Sequence, residues 1–176
     1  VERGICLRPS PARFSDFLRD IAAMIRYRNV LLATDFSAAA RAAASHAVAV
    51  ASAAGAELHL LHVVEEFAYW ESFNLKHFPS QEVFEELESN ARIALADLAR
   101  EEELGAGAVT HVRHGKPFLE IIRAARELDA DMLVIGSHGQ SGLSETLFGS
   151  TAEKVVRKAS CAVLVVRHPE HRFEMP

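Results

Sequence analysis

The chain has 176 residues, of which 49% are hydrophobic and 24% charged, and it carries a net charge of −5. That is enough for one domain with a real core, and the acidic balance without a long basic run argues against a nucleic-acid partner. Cys6 and Cys161 are far apart with no CxxC spacing, which fits reduced thiols in a cytoplasmic setting, and no apolar run reaches membrane-spanning length.

Residues 1–24 carry Pro9 and Pro11 and then Phe14, Phe17, Leu18 and Ile21 at helical spacing, without the continuous apolar core of a secretory signal. Met24 stands just before the first expected strand and reads as the natural start. The leader is then an upstream extension or a loosely held helix, with a partner-docking helix as the alternative reading. Asn29 to Asp35 is a short apolar run ending in Thr-Asp and reads as a buried strand. Ser37 is placed to cap an Ala-rich helix running to Ala54, with Gly55 as its stop. A second strand is expected over Glu57–Val64. An irregular aromatic stretch follows, with Phe67, Tyr69, Trp70, Phe73 and Phe78, and reads as packing on its own sheet, a lid or partner patch being the minority reading.

A helix is predicted from Gln81 to about Glu103, a third strand over Ala108–His114, and a helix from Pro117 to Leu128 with apolar spacing at Phe118, Ile121, Ile122 and Ala125. Asp131–Gly136 reads as the fourth strand, Gly149–Ala159 as a helix, and Cys161–Arg167 as the fifth strand, leaving 169–176 as a tail. Strands alternating with helices predict right-handed crossovers and an open parallel sheet with helices on both faces, in a single α/β domain over 25–168. In such sheets ligands bind beyond the carboxyl ends of the strands. Asp35, Val63 and Gly136 all fall there, so three segments converge on one crevice.

The segment from Met132 to Thr151 is the most telling. It reads strand, glycine-punctuated loop, helix start, with the spacing Gly136-x2-Gly139-x9-Gly149-Ser150. Backbone N–H groups on such a loop, aimed at a helix N-terminus, form an anion site and point to a phosphate-bearing ligand. Gly136 and Gly139 are expected to let the backbone approach the phosphates without a Cβ in the way. Ser150 can offer its hydroxyl to a ligand or cap the last helix. Asp35 can meet a magnesium ion or a ribose hydroxyl, or cap the Ser37 helix. His59 and His62 are three apart on one strand and face opposite ways, as do His111 and His114, so neither pair has metal-ligand spacing. His138 can touch phosphate or bond locally, and the local bond is the favoured reading. Cys161 reads as strand core rather than a redox site.

Asn29-Val-Leu-Leu-Ala-Thr-Asp-Phe-Ser37, Leu60-Leu-His-Val-Val64, Gly136-Ser-His-Gly-Gln-Ser-Gly-Leu143 with Leu147-Phe-Gly-Ser-Thr-Ala-Glu-Lys-Val155, and Cys161-Ala-Val-Leu-Val-Val166 together resemble the universal stress protein (UspA) family. The resemblance covers about Ile25 to Arg167. It implies a Rossmann-like, adenine nucleotide alpha hydrolase-like fold with strand order 3-2-1-4-5. Retention of Gly136, Gly139, Gly149 and Ser150 resembles the ATP-binding members. The resemblance then puts Ala33 and Thr34 beside the nucleotide, Asp35 at the ribose or phosphates (with Mg), Val63 on adenine, and Ile135 and Gly136 along the ribose. Gly139, Gly149, Ser150 and Thr151 would hold the phosphates. It also implies a homodimer through the last strand, 161–167. Two departures are Ala33 and Ala162, where members of the family often carry proline. There is no Gly-x4-Gly-Lys-Ser/Thr, and Lys154 lies a turn into the last helix, so a nucleotide-dependent sensor or switch is expected ahead of efficient turnover. ATP is the expected ligand, other adenine nucleotides remaining open. A slow ATPase or nucleotidyl-transfer enzyme and a nucleotide-free interaction module are the alternatives.

Overall fold

Val30, Leu31 and Leu32 are fully buried, and this unbroken apolar run puts β1 (Asn29–Ala33) in the middle of a sheet covered on both faces. The computed structural model describes residues 26–65, 81–102, 107–139 and 148–167. The leader, the aromatic stretch Phe67–Phe78, Gln140–Leu147 of the glycine loop and the 169–176 tail lie outside the described residues.

After β1 come α1 (Ala38–Ala54), β2 (Glu57–Val64), α2 (Gln81–Glu101), β3 (Ala108–His114), α3 (Pro117–Glu127), β4 (Met132–Gly136), α4 (Ser150–Lys158) and β5 (Ala162–Val166). The five strands pair in parallel in the order β3-β2-β1-β4-β5, as expected. Alternation along the strands splits the core in two. Val30, Leu32, Leu58, Leu60 and Val134 pack against α1 and α2, whose contribution is Ala43, Ala44, Ala47, Leu95 and Leu98. Leu31, Ala33, Leu61, Leu133 and Ile135 pack against α3 and α4 through Ile121, Ala124, Ala125, Ala152 and Val155. The crossovers on the two sides of β1 therefore run over opposite faces, and the carboxyl ends of β1 and β4 diverge into a crevice.

The lower end of the sheet is locked by Asp131. Its Oδ2 accepts from the backbone N–H groups of Arg28 (2.6 Å) and Asn29 (3.0 Å), and these bonds hold its carboxyl below the usual carboxylate range. Asn29 Nδ2 donates to the Leu128 carbonyl at 3.0 Å. This clamp fixes the β1–β4 register at the end away from the crevice. Gly55 ends α1 as expected, at φ 64°, with its N–H on the Ala51 and Ser52 carbonyls.

Several boundaries differ from expectation by one or two residues, β4 starting at Met132 rather than Asp131 among them. β1 stops at Ala33 rather than Asp35: Thr34 N–H still donates to Leu61 O (2.9 Å), but Phe36 then adopts φ 63° and turns the chain away. Likewise β5 is Ala162–Val166, with Cys161 and Arg167 outside the ladder. Cys161 is half-buried against the α3–α4 side of the core, and burial raises its thiol, which keeps it protonated and a poor nucleophile.

Candidate functional site

Beyond the strand ends lies a cleft of about 830 Å³, within the range that holds small-molecule ligands. Among the described residues its walls come from the β1–α1 turn, the end of β2, one face of α2, the start of α3, the β4 end and the start of α4. Ala33, Thr34, Asp35, Val63, Ile135, Gly136, His138, Gly139, Gly149, Ser150 and Thr151 all line it. Residues up to 118 positions apart in sequence (Ala33 to Thr151) are thus brought to one place.

The β1–α1 turn is tightly specified. Thr34 is buried, and its Oγ1 accepts from Phe36 N–H at 3.1 Å. Asp35 Oδ1 accepts from Ser37 N–H (3.1 Å), and Ser37 Oγ accepts from Ala40 N–H (3.2 Å), so the expected cap is in place and Asp35 braces it. Phe36 is held in the left-handed region, unusual for an aromatic residue and costing about 1 kcal/mol or more. What holds it is His62: the two rings stack with centroids 4.6 Å apart at 30°. His62 Nδ1 sits 2.8 Å from the Thr34 carbonyl.

The glycine loop is closed at its base. Ser137 is fully buried; its N–H donates to Val166 O and its own carbonyl accepts from Gly149 N–H, both at 2.7 Å. Ser137 Oγ lies 3.0 Å from His138 Nδ1, the local bond expected for that histidine. The two ends of the loop are thereby stapled together beside the β4 end.

Two of the glycines are also required by packing within the chain. A Cβ on Gly136 would stand 2.9 Å from the backbone of Ala39 and Ala40, so the close packing of α1 onto β4 by itself requires glycine here. A Cβ on Gly139 would meet Asp35 Oδ2 at 2.6 Å, so the absence of a side chain there makes room for the carboxylate. Gly149 is the roomier one, with Ser137 O at 3.4 Å. A correction concerns Ser150: the cap of α4 is Gly149, and Ser150 is the first residue inside the helix. No side chain caps α4, and its first backbone bond is Glu153 N–H to Gly149 O. The N–H groups of Ser150, Thr151 and Ala152 accordingly have no intrahelical acceptor, and all three residues line the cleft.

Lys154 turns aside, with Nζ 5.0 Å from the centroid of the Phe118 ring on α3. The histidine faces are as expected. His59 meets His111 (3.2 Å) on the α3 side, while His62 meets Phe36 and His114 meets Glu88 on the other side.

Several lining residues escaped the sequence reading. Leu87, Asn90, Ala91 and Ala94 form one wall of the cleft from α2. Their i, i+3, i+4, i+7 spacing is legible as a helical stripe, but only the packing reveals what the stripe faces. Phe36, His62 and Ser137 lie beside predicted residues, and recognising them needs the register of β1 against β2 and β4.

The model of the universal stress protein family matches residues 26–167, which include every element described above. The chain belongs to the universal stress protein family. Universal stress protein MJ0531 of Methanocaldococcus jannaschii is 34% identical over 146 residues, covering 82% of this chain and 84% of that protein. The solved structure of MJ0577, another universal stress protein of that organism, superposes with a TM-score of 0.70 at 31% identity, covering 84% of this chain and all of that one. A universal stress protein crystallised in complex with cAMP superposes with a TM-score of 0.53 at 27% identity, covering 80% of this chain and 97% of the other. No helix among the described residues is long and apolar enough to cross a membrane.

Proposed function

We propose that this universal stress protein binds an adenine nucleotide, ATP foremost, in the cleft at the strand ends and acts as a cytoplasmic nucleotide-dependent sensor or switch. One observation carries the reading: the open N-terminus of α4 and the ends of β1, β2 and β4 meet in a single cleft lined by all the residues singled out from the sequence. An uncapped helix start presents converging N–H donors and the positive end of the helix dipole, the arrangement that phosphate groups need. The likeness to a relative solved with cAMP supports an adenine nucleotide in particular.

In this reading Gly139, Gly149, Ser150 and Thr151 hold the phosphates, and His138 borders them. Ala33, Thr34, Ile135 and Gly136 flank the ribose, and Val63 meets the base. Asp35 is placed to share a Mg ion with the phosphates, since Mg sites commonly pair one or two carboxylates with phosphate oxygens. Binding is favoured over turnover because the groups that could move a phosphoryl group are committed elsewhere. Lys154 lies over Phe118, and His138 is bonded to Ser137. A homodimer through β5 completes the proposal: among the described residues this edge strand pairs with β4 alone, and Val163, Leu164 and Val165 are only half-buried.

The test is to denature the purified protein, chromatograph the supernatant for nucleotide, and measure thermal shifts with ATP and Mg. A released adenine nucleotide or a rise in melting temperature is expected. Absence of both rejects the reading. Light scattering at micromolar concentration is expected to give a dimer mass, and a monomer rejects pairing through β5.

A further inference from the structure

Strand register brings together two histidines that lie on different strands. His59 pairs with Val109 and His111 with Leu61, so the two rings are diagonal neighbours on the α3 side of the β2–β3 ladder. His59 Nδ1 lies 3.2 Å from His111 Nε2. The ring centroids are 5.4 Å apart, so the rings meet at these nitrogens and do not stack. His59 is buried, His111 is half-buried, and Val109 on the same face is 39% exposed, which places the pair at the open edge of the sheet. The i, i+3 pairs along each strand lack metal-ligand spacing, but the cross-strand pair has it. Two nitrogens bound tetrahedrally to one zinc ion, each at roughly 2.0–2.1 Å, stand about 3.3 Å from one another.

The surrounding groups favour a cation there. Glu57 Oε2 lies 3.9 Å from Nε2 of His59. Its charge favours a proton on that nitrogen and leaves Nδ1 as the lone pair, the tautomer that a metal requires. His111 Nε2 then donates the hydrogen bond between the rings. When an ion takes both nitrogens, that proton passes to Nδ1 of His111, so each imidazole keeps one N–H and stays neutral. Burial, with His59 and Arg113 nearby, lowers the pKa of His111, and its ring is uncharged near pH 7. Arg113 is the opposing charge, and it is offset by Glu120 at 3.8 Å and by its ion pair with Glu127, both on α3. Arg123 of α3 is in turn paired with Glu120.

We propose that His59 Nδ1 and His111 Nε2 are two ligands of a divalent ion of the zinc class, which clips the edge strand β3 to β2 and completes its shell with water. Among the described residues no three His, Cys, Asp or Glu groups converge on a metal position, so the protein supplies two ligands here. Imidazole ligands suit zinc, nickel and copper, whereas magnesium and calcium take oxygen. Neither histidine lines the cleft, so the proposal stands apart from the nucleotide reading.

The test is calorimetric titration of the untagged chain with zinc chloride near pH 7. Wild type is expected to bind zinc, and His111→Asn to lose at least about tenfold in affinity, the lower end of what loss of even an outer partner of a metal costs. The chain has nine histidines, so equal affinity in the variant would place the ion elsewhere and overturn the proposal, as would a wild type that binds no zinc. Nitrogen NMR of the wild-type chain gives a readout that does not depend on the variant folding. His59 Nδ1 and His111 Nε2 should be the first histidine resonances to shift as zinc is added, and magnesium should move neither. Other histidines responding first, or an equal response to magnesium, overturns the assignment.

Discussion

Two helices begin at the same cleft and begin in opposite ways. At α1 the chain satisfies its own first turn: Asp35 takes the Ser37 N–H and the Ser37 hydroxyl takes the Ala40 N–H. At α4 the cap position is Gly149, which has no side chain to offer, and Ser150, Thr151 and Ala152, whose N–H groups have no intrahelical acceptor, line the cleft. The difference is one of capping chemistry, not of helix quality. A serine or aspartate at the start of a helix stabilises it by about 1 kcal/mol and closes the terminus to other acceptors. A glycine there forgoes that stabilisation and leaves the positive end of the helix for an anion from outside. The cleft thus has one terminus that holds the fold and one that is free to hold a ligand.

Replacing Gly149 with Asp should break this contrast most sharply. The new side chain caps α4 with little steric demand, since its Cβ would stand 3.4 Å from Ser137 O. The added carboxylate occupies the phosphate position, and calorimetry should record a loss of at least about a hundredfold in ATP affinity, with the melting temperature unchanged or raised. Unaltered affinity would mean that phosphates do not sit at α4.

Gly136→Ala tests the packing side of the comparison. Its Cβ would press on the α1 backbone, so denaturant unfolding should show a loss of about 2 kcal/mol. A fully stable Gly136→Ala would contradict the close approach of α1 to β4. Ser37→Ala should lower stability by about 1 kcal/mol through the lost cap, yet leave ATP affinity unchanged at temperatures where the protein is folded. Opposite results for Ser37→Ala and Gly149→Asp, affinity lost in the first and stability in the second, would reverse the assignment of the two termini.

A smaller effect is expected with pH. Burial lowers the pKa values of His62 and His111, His62 facing Asp35 and His111 facing His59 and Arg113. The unfolded chain then binds more protons than the folded one once pH drops below about 6.5. Stability from these two groups is complete above that value and declines as pH falls through it, which melting curves between pH 8 and 5 should register. His62→Asn should flatten part of that decline. Smallest of all, Lys154→Gln should cost no more than about 1 kcal/mol by removing the contact with Phe118 and should leave ATP affinity as it was, because Lys154 is directed away from the phosphates.

Much of this was legible along the chain. The five strands and four helices of the described residues follow from apolar runs, from Ser37 and Gly55 as punctuation and from Pro117 at a helix start, because these are local effects of backbone sterics and capping. The glycine spacing from Gly136 to Ser150 marked the cleft because a strand-to-helix turn at a sheet end has few solutions. The reason for each glycine was not legible. Gly136 answers to Ala39 and Ala40, and Gly139 to Asp35, partners about a hundred residues away, and no local pattern encodes a contact of that separation.

The sequence by itself determined the alternation of strands and helices, the capped start of α1 and the family. Each depends on residues within a few positions of one another or on motifs that survive as linear text. Only the tertiary structure decided that α4 is uncapped at the cleft and that α2 lends a wall through Leu87, Asn90, Ala91 and Ala94. It also decided that His62 is locked by Thr34 and Phe36. These depend on strand register and helix packing, which are settled by burying two apolar faces of one sheet at once and not by any segment alone.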